Sequence, residues 1–462
     1  MKYENLKDEL LSTVDTGLKY ARTVDNEAEF ELYLFYQNRA AVSITQGVVE
    51  ASEGIIMGNA VRAVRQNSVS FASSSGISTD RIRRSVKEAL ASLRSVSIED
   101  ERFKGFCTPE SPSREGAFAS EILNLSKEEL IDYAGSMMKE GLESDRRIKT
   151  VGSECSAEWG GFAVGNTQGL RQASRSALNS CEVYCMAVDG EERRTGYEFD
   201  TTRERLIEIG GLGRKAAQKA VSLLGARKLN KTTVLPTIWE PTAAGAYISA
   251  SLGQSASGQH VVEGHSPIAE KIGEEIANPN LTITDNGQNP SGINTDAVDA
   301  EGYPQQTTTI IDRGKLNQFL FDTYYARIHG SKSTGNCSRR ARATFPYETA
   351  PLIRPTNLEV TPGSKNLGDL ITSIERQAIL IADAPIGILR LSNVSTGEFS
   401  AVGQSVFLVE NGDRKWPLQP VSISGSFYTG FKQLLDVGDD LTKTIFAVET
   451  PTLVFDGFSI VG

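Results

Sequence analysis

Side chains able to do chemistry are sparse in this 462-residue sequence, and the histidines are the first place to look. Two of its three histidines fall in HVVEGH, residues 260–265, with Glu263 between them. Imidazole and carboxylate groups are zinc ligands, and a carboxylate beside them can act as a general base. His260, Glu263 and His265 are therefore a candidate metal set. A literal HxxEH motif is one residue shorter, however, and Gly264 together with the flanking GQ and SP favours an exposed loop. The third histidine, His329, stands alone and reads as a packed or surface residue.

A second constellation is STGNCSRR, residues 333–340, in which Thr334, Gly335, Asn336, Arg339 and Arg340 join small hydroxyl and amide groups to two guanidinium groups. Such a loop can hold a carboxylate or a peptide backbone through charge-assisted hydrogen bonds. The plainer alternative is a glycine-dependent loop with solvated arginines. The acidic run DAVDAEG, residues 296–302, lacks the ligand spacing of an EF-hand. GGLGRK, residues 210–215, resembles a phosphate-cradling loop but sits within a helical pattern, where glycine allows close packing or a kink. Cys181 and Cys185 would share one face of a strand, as small buried side chains do. No GxSxG context marks a nucleophilic serine.

The elements that would position these groups change character along the chain. Leu6–Ala21 has helical periodicity. Glu29–Tyr36, Arg39–Ala51 and Ile55–Ala72 alternate with period two, with Gln66 to Ser68 as a turn, so an antiparallel meander is expected. Ser78–Ser95 and Ser126–Leu142 read as helices, the second opened by the capping box of Ser126 and Glu129. Strand patterning returns over 149–199, with breaks expected at Gly160-Gly161, 166–169 and 189–190, and a long helix is expected over Arg203–Leu224. The polar stretch GARKLNK, residues 225–231, suggests a boundary between an N-terminal α+β domain, 1–228, and a β-rich domain, 229–462. Within the second, helices are expected at Ala244–Leu252, Ala269–Ile276, Leu367–Ile374 and Tyr428–Asp436. The fold class is α+β.

A net charge of -10 argues against direct nucleic-acid binding, because phosphate recognition needs a concentrated basic footprint. Five cysteines without a CxxC pair fit a reducing compartment, so a cytoplasmic location is expected. The amphipathic, acidic N-terminal segment is unlike a signal peptide, and no run of about 20 apolar residues suggests a membrane span.

An ordered succession of short motifs then adds a resemblance over nearly the whole chain. GVVE (47–50), GNAVR (58–62) and SFAS (70–73) are followed by DAEGYP (299–304), ARIHG (326–330), STGN (333–336), RPTN (354–357), STGEFS (395–400) and VGDD (437–440). Together they resemble the TldD/PmbA family, once called modulators of DNA gyrase. The resemblance implies metallopeptidase chemistry on unfolded or ribosomally made peptides. It further implies that TldD-type members carry HExxxH and a later cysteine ligand, whereas PmbA/TldE-type members lack them and pair with TldD.

Counting back from the anchor KIGE, residues 271–274, puts the HExxxH positions on Ser249, Ala250 and Gln254. A hydroxyl and an amide do not replace two imidazoles at zinc, and alanine is no general base. The segment after Asp440 has no cysteine. The expectation is a PmbA/TldE-like subunit with no catalytic residue and no cofactor of its own, with zinc in a TldD-type partner and a peptide as substrate. The alternatives are an active metallopeptidase with an unrecognised metal site and a homodimeric peptide-binding regulator.

Overall fold

The computed structural model describes residues 1–95, 98–341 and 344–462. Its first half runs α1 (Leu6–Val24), β1 (Glu29–Thr45), β2 (Val48–Arg65), β3 (Ser68–Ser75), α2 (Thr79–Ser95), β4 (Ile98–Glu99), α3 (Lys127–Ser144), β5 (Ile148–Asn166), β6 (Arg171–Asp189), β7 (Glu192–Thr202) and α4 (Leu212–Ser222). The strands make one antiparallel sheet in the order β4-β3-β2-β1-β5-β6-β7. Alternation along β1 explains the layering. Phe30, Leu32, Leu34, Tyr36, Val42 and Ile44 share one side and pack beneath the helices. Tyr33, on the other side, joins a cluster with Val298, Ala300 and Cys337 of the second half. Both faces are covered, which is why EFELYLFY carries aromatic residues in both registers.

The second half continues with β8 (Thr232–Trp239), α5 (Pro241–Ser255), α6 (Gly258–Val262), β9 (Ile283–Asn286), β10 (Thr307–Asp312), β11 (Lys315–Leu316), α7 (Thr323–His329), β12 (Cys337–Ser338), β13 (Leu352–Ile353), β14 (Leu358–Val360) and α8 (Leu367–Thr372). Then come β15 (Ala378–Ile381), β16 (Glu398–Gly403), β17 (Val406–Glu410), β18 (Asp413–Pro417), β19 (Val421–Ser426), α9 (Phe427–Lys432), β20 (Leu434–Val437), β21 (Thr442–Lys443), β22 (Val448–Thr450) and β23 (Leu453–Val461). An eight-stranded sheet with β23 and β8 at its centre and a six-stranded sheet through β9 and β14 share one core with α5. Helix α5 is apolar around most of its circumference, as a central helix is. Its Tyr247 ring meets Trp239, Phe427, Phe431 and Phe455 at centroid distances of 5.3, 5.0, 5.3 and 4.9 Å. The Tyr247 hydroxyl donates to Phe427 O at 2.8 Å, so no polar atom is stranded there. The fold is α+β. Among the described residues no helix is long and apolar enough to cross a membrane.

Several expectations need correction. The gap between Tyr36 and Arg39 does not exist: β1 is continuous because β2 and β5 pair with it on both sides through this stretch. Gly160-Gly161 is not a turn but lies inside β5. A Cβ at Gly160 would sit 2.2 Å from Tyr36 O, and one at Gly161 2.3 Å from Ser174 O, so the glycines permit close strand approach. The helix expected over Arg203–Leu224 is only α4, starting after Gly211 at φ 95. Its N-terminal part is drawn away by tertiary bonds such as Ile207 N to Asn179 Oδ1 at 3.1 Å. Gly213 does allow close packing, since a Cβ would lie 2.1 Å from Met137 O. Ala269–Ile276 is not helical because its backbone pairs with residues 314–316 instead. Tyr428–Asp436 divides into α9 and β20. The Ser126/Glu129 capping box is present.

Candidate functional site

A cavity of about 930 Å³ lies between the two halves. One wall is the outward face of β1 and β5, with Phe35, Gln37, Glu158 and Phe162, together with the backbone of Gly160 and Gly161. Gln37 Nε2 donates to Glu158 Oε2 at 2.8 Å, and burial pushes the Glu158 carboxyl upward against the pull of Arg340 and Arg39. The opposite wall is α5, α6 and the ribbon of β12 and β13, in which Cys337 pairs with Ile353 and Ser338 with Leu352.

Helix α5 presents Ser249, Gly253 and Gln254 to this cavity. Ala250 instead packs in the core at 2% exposure, one helical step round from Ser249. The side chains at these helix positions do not suit the zinc that a metallopeptidase motif would hold, since Ser249 and Gln254 offer one hydroxyl and one amide where imidazoles are needed.

His260, Glu263 and His265 occupy the short helix α6 and the turn after it, where an open loop was expected. His260 lines the cavity and its Nδ1 donates to Gln254 O at 2.8 Å. Glu263 accepts from Tyr325 Oη at 2.6 Å and lies 3.6 Å from His265 Nδ1. The two imidazole centroids are 6.3 Å apart, and His265 and Glu263 are exposed. These three do not converge on one point. His329 packs on Phe321 at 4.9 Å, with Nδ1 2.7 Å from Ser331 Oγ.

The 333–340 segment, expected as a loop at a peptide or partner surface, borders the cavity through Gly335, Asn336, Arg339 and Arg340, but most of its side chains are buried in internal bonds. Thr334 Oγ1 donates to Asn336 Oδ1 at 2.6 Å, and Asn336 Nδ2 donates to Asp285 Oδ2 at 2.6 Å and Arg354 O at 3.0 Å. Gly335 has φ +74, and a Cβ there would lie 2.3 Å from Pro304 O. Arg339 is 2% exposed, bonded to Glu31 at 3.0 Å and to Thr349 O at 2.9 Å, with its guanidinium 4.7 Å from the Tyr33 ring centroid. Arg340 alone of the five keeps an exposed side chain, 3.6 Å from Asp296.

Beneath the cavity lies a buried charge network that periodicity did not reveal. Arg62 bonds Glu31 in bidentate fashion at 2.9 and 2.6 Å and reaches Glu301 at 3.5 Å. Glu301 also accepts from Thr323 N at 2.9 Å. Asp299 Oδ1 accepts from Glu301 N and Tyr303 N, and its Oδ2 from Cys337 N, all at 3.0 Å. Burial first and Glu301 second hold the Asp299 carboxyl well above the usual range and push Asp322 up to about 7. Among the described residues Asp299, Glu301 and Cys337 are the group of ligand-type side chains close enough for a metal, within 4.8 Å. Their acceptors are committed to backbone and guanidinium donors, and burial raises the Cys337 thiol well above its ordinary value. This is the chemistry of a turn organiser joining two halves.

The missed residues had one usable signal. Glu31 interrupts an aromatic strand face and stands opposite Arg62 across the β1–β2 pair, but that register follows only once the Gln46-Gly47 turn is known. Arg354 lies in the RPTN motif, where nothing local marks it as a cavity-lining side chain.

Comparison with known proteins fits this architecture. Residues 120–224 match the PmbA/TldA metallopeptidase central domain, and residues 232–462 match the PmbA/TldA metallopeptidase C-terminal domain. Metalloprotease PmbA of Escherichia coli O157:H7 is 26% identical over 94% of this chain and 92% of its own length. A TldD metalloprotease homolog of Buchnera aphidicola is 25% identical over 86% and 81%. The crystal structure of TldE from Thermococcus kodakarensis superposes with a TM-score of 0.88 at 22% identity, covering 97% of this chain and 100% of that one. With two domain matches spanning most of its length, the chain belongs to the PmbA/TldD metallopeptidase family.

Proposed function

We propose that this chain is the PmbA/TldE-type subunit of a two-subunit metallopeptidase, holding an extended peptide while a TldD-type partner supplies zinc and the cleaving site. The identities to PmbA-named and TldD-named relatives are nearly equal, so the choice between types rests on residues. The carrying observation is that α5 offers the cavity Ser249, Gly253 and Gln254 where the resemblance sets HExxxH. A cavity walled by strand backbone, amides and aromatic rings suits an unfolded peptide, whose backbone is its constant feature. A partner surface is supported by β2. Its residues 48–56 lie outside the β3 ladder, which starts at Gly58, and Val48, Val49 and Ile55 are exposed. Such an edge is a natural site for association. We read residues 1–228 and 229–462 as its two domains and the cytoplasm as its compartment.

The test is to express this chain with the TldD-type protein of the same organism, co-purify them, and measure zinc and peptide cleavage for each subunit and the pair. The expected result is cleavage that needs both proteins, with zinc retained by the partner. Stoichiometric zinc and cleavage in this chain alone would sink the proposal.

A further inference from the structure

Four cationic or potentially cationic side chains line the cavity: His260, Arg339, Arg340 and Arg354. Their fates differ. Arg339 is buried and paired with Glu31, and His260 donates to a main-chain carbonyl. Arg340 is faced by Asp296 at 3.6 Å and held by Asn294, and its charge is felt by Glu158 on the opposite wall. Arg354 is exposed and has no carboxylate partner among the described residues. It is an uncompensated cation inside a cavity of a protein whose net charge is -10.

The backbone beneath Arg354 is fixed. Arg354 N donates to Asn336 O at 3.1 Å, and Asn336 Nδ2 donates back to Arg354 O at 3.0 Å. The internal bonding of Asn336 thus gains a purpose: it clamps the base of a free guanidinium. Along the ribbon Arg354 stands opposite Asn336, four residues from Arg340, or about 13 Å at strand rise. At the Arg340 end Asp296 and Glu158 repel a ligand carboxylate, whereas near Arg354 the buried Asp285 carboxylate is already taken up by Asn336 Nδ2 and by the N–H groups of Thr356 and Asn357. An extended peptide in this cavity therefore meets an asymmetric wall.

We propose that Arg354 receives the C-terminal carboxylate of the peptide held in the cavity, giving the bound chain a direction. This rests on the peptide-holding reading above. A guanidinium meets a carboxylate through paired N–H donors, a match that a terminal amide cannot make.

The experiment is fluorescence anisotropy on the full chain with one labelled hexapeptide of alanine, serine and leucine in three forms. These are the free acid, the C-terminal amide, and the amide with glutamate as last residue. The free acid is expected to bind about tenfold tighter than the amide, with Arg354→Gln lowering it to the amide level and leaving the amide unchanged. Arg354→Lys should keep part of the preference, and an unchanged thermal midpoint in both variants certifies folding. Equal affinity of acid and amide, or a preference that survives Arg354→Gln, overturns the assignment while leaving peptide holding intact. A glutamate-ended amide matching the free acid overturns terminus recognition in favour of an acidic side chain. Failure of all three peptides to bind removes the peptide-holding reading itself.

Discussion

The two walls of the cavity are built in opposite ways. The β1 and β5 wall is regular sheet, its side chains dictated by strand alternation and its closeness permitted by Gly160 and Gly161. The facing wall is the C-terminal part of α5, the short helix α6, a two-residue ribbon and loops, the loops held by Asn336, Asp285 and Asp299 accepting or donating several bonds each. Regular backbone provides shape but satisfies its own polar groups, whereas irregular backbone must recruit side chains and leaves charges at defined points. Arg339 and Arg340 carry the contrast between neighbours: one is consumed in joining the walls and the next is left in the cavity.

The largest break in that contrast should come from Glu31→Ala. It strands Arg62 and Arg339 without their shared buried carboxylate, and removing one partner of a buried pair typically costs about 3–5 kcal/mol. Urea unfolding of the full chain measures it, and a midpoint close to the parent's would mean that the network is not what joins the halves. Gly160→Ala should follow at about 1–3 kcal/mol, because a methyl group must displace the Tyr36 carbonyl rather than a flexible side chain.

Asp322→Asn sharpens the picture through pH. Asp322 caps α7 by accepting from Tyr325 N at 2.8 Å, which asparagine can also do. Its carboxyl holds a proton more tightly folded than unfolded, with burial as the main cause and Glu301 next. That contribution to stability is complete below the unfolded value of 3.8 and is lost as pH rises through about 7. The variant should therefore lose less stability than the parent between about pH 4 and about pH 7, read from unfolding midpoints across that window. Parallel pH profiles would assign the dependence to Asp299 or Asp285, whose carboxyls burial also raises. The smallest stability effect belongs to Arg340→Gln, under about 1 kcal/mol for a half-exposed pair. A larger loss would show that Arg340 acts structurally like Arg339.

Much of the first wall was legible in sequence, because period-two patterning survives any register. Its strand ends were less so: the turn at Gln46-Gly47 carries a weak signal, whereas Gly160-Gly161 looks like a turn but serves strand contact. The second wall was less legible. Hydroxyls, amides and arginines in STGNCSRR are equally at home in a solvated loop and in an internal network, and only Arg340 kept the accessibility that a recognition role needs. Ala269–Ile276 shows the same limit, since a helical pattern yields where tertiary hydrogen bonds claim its backbone.

By itself the sequence determined the fold class, the capping of α3, the family through its succession of motifs, and the residue types at the HExxxH positions. These are properties of residue identity and local order. Tertiary structure decided that Ser249 and Gln254 face a cavity while Ala250 faces the core, that Glu31 and Arg339 join the two halves, and that Arg354 lines the cavity with no carboxylate partner among the described residues. Each of those depends on which surfaces distant segments bury together. Burial sets both the cost of a charge and the partner that offsets it, so a residue's chemical role is decided in space.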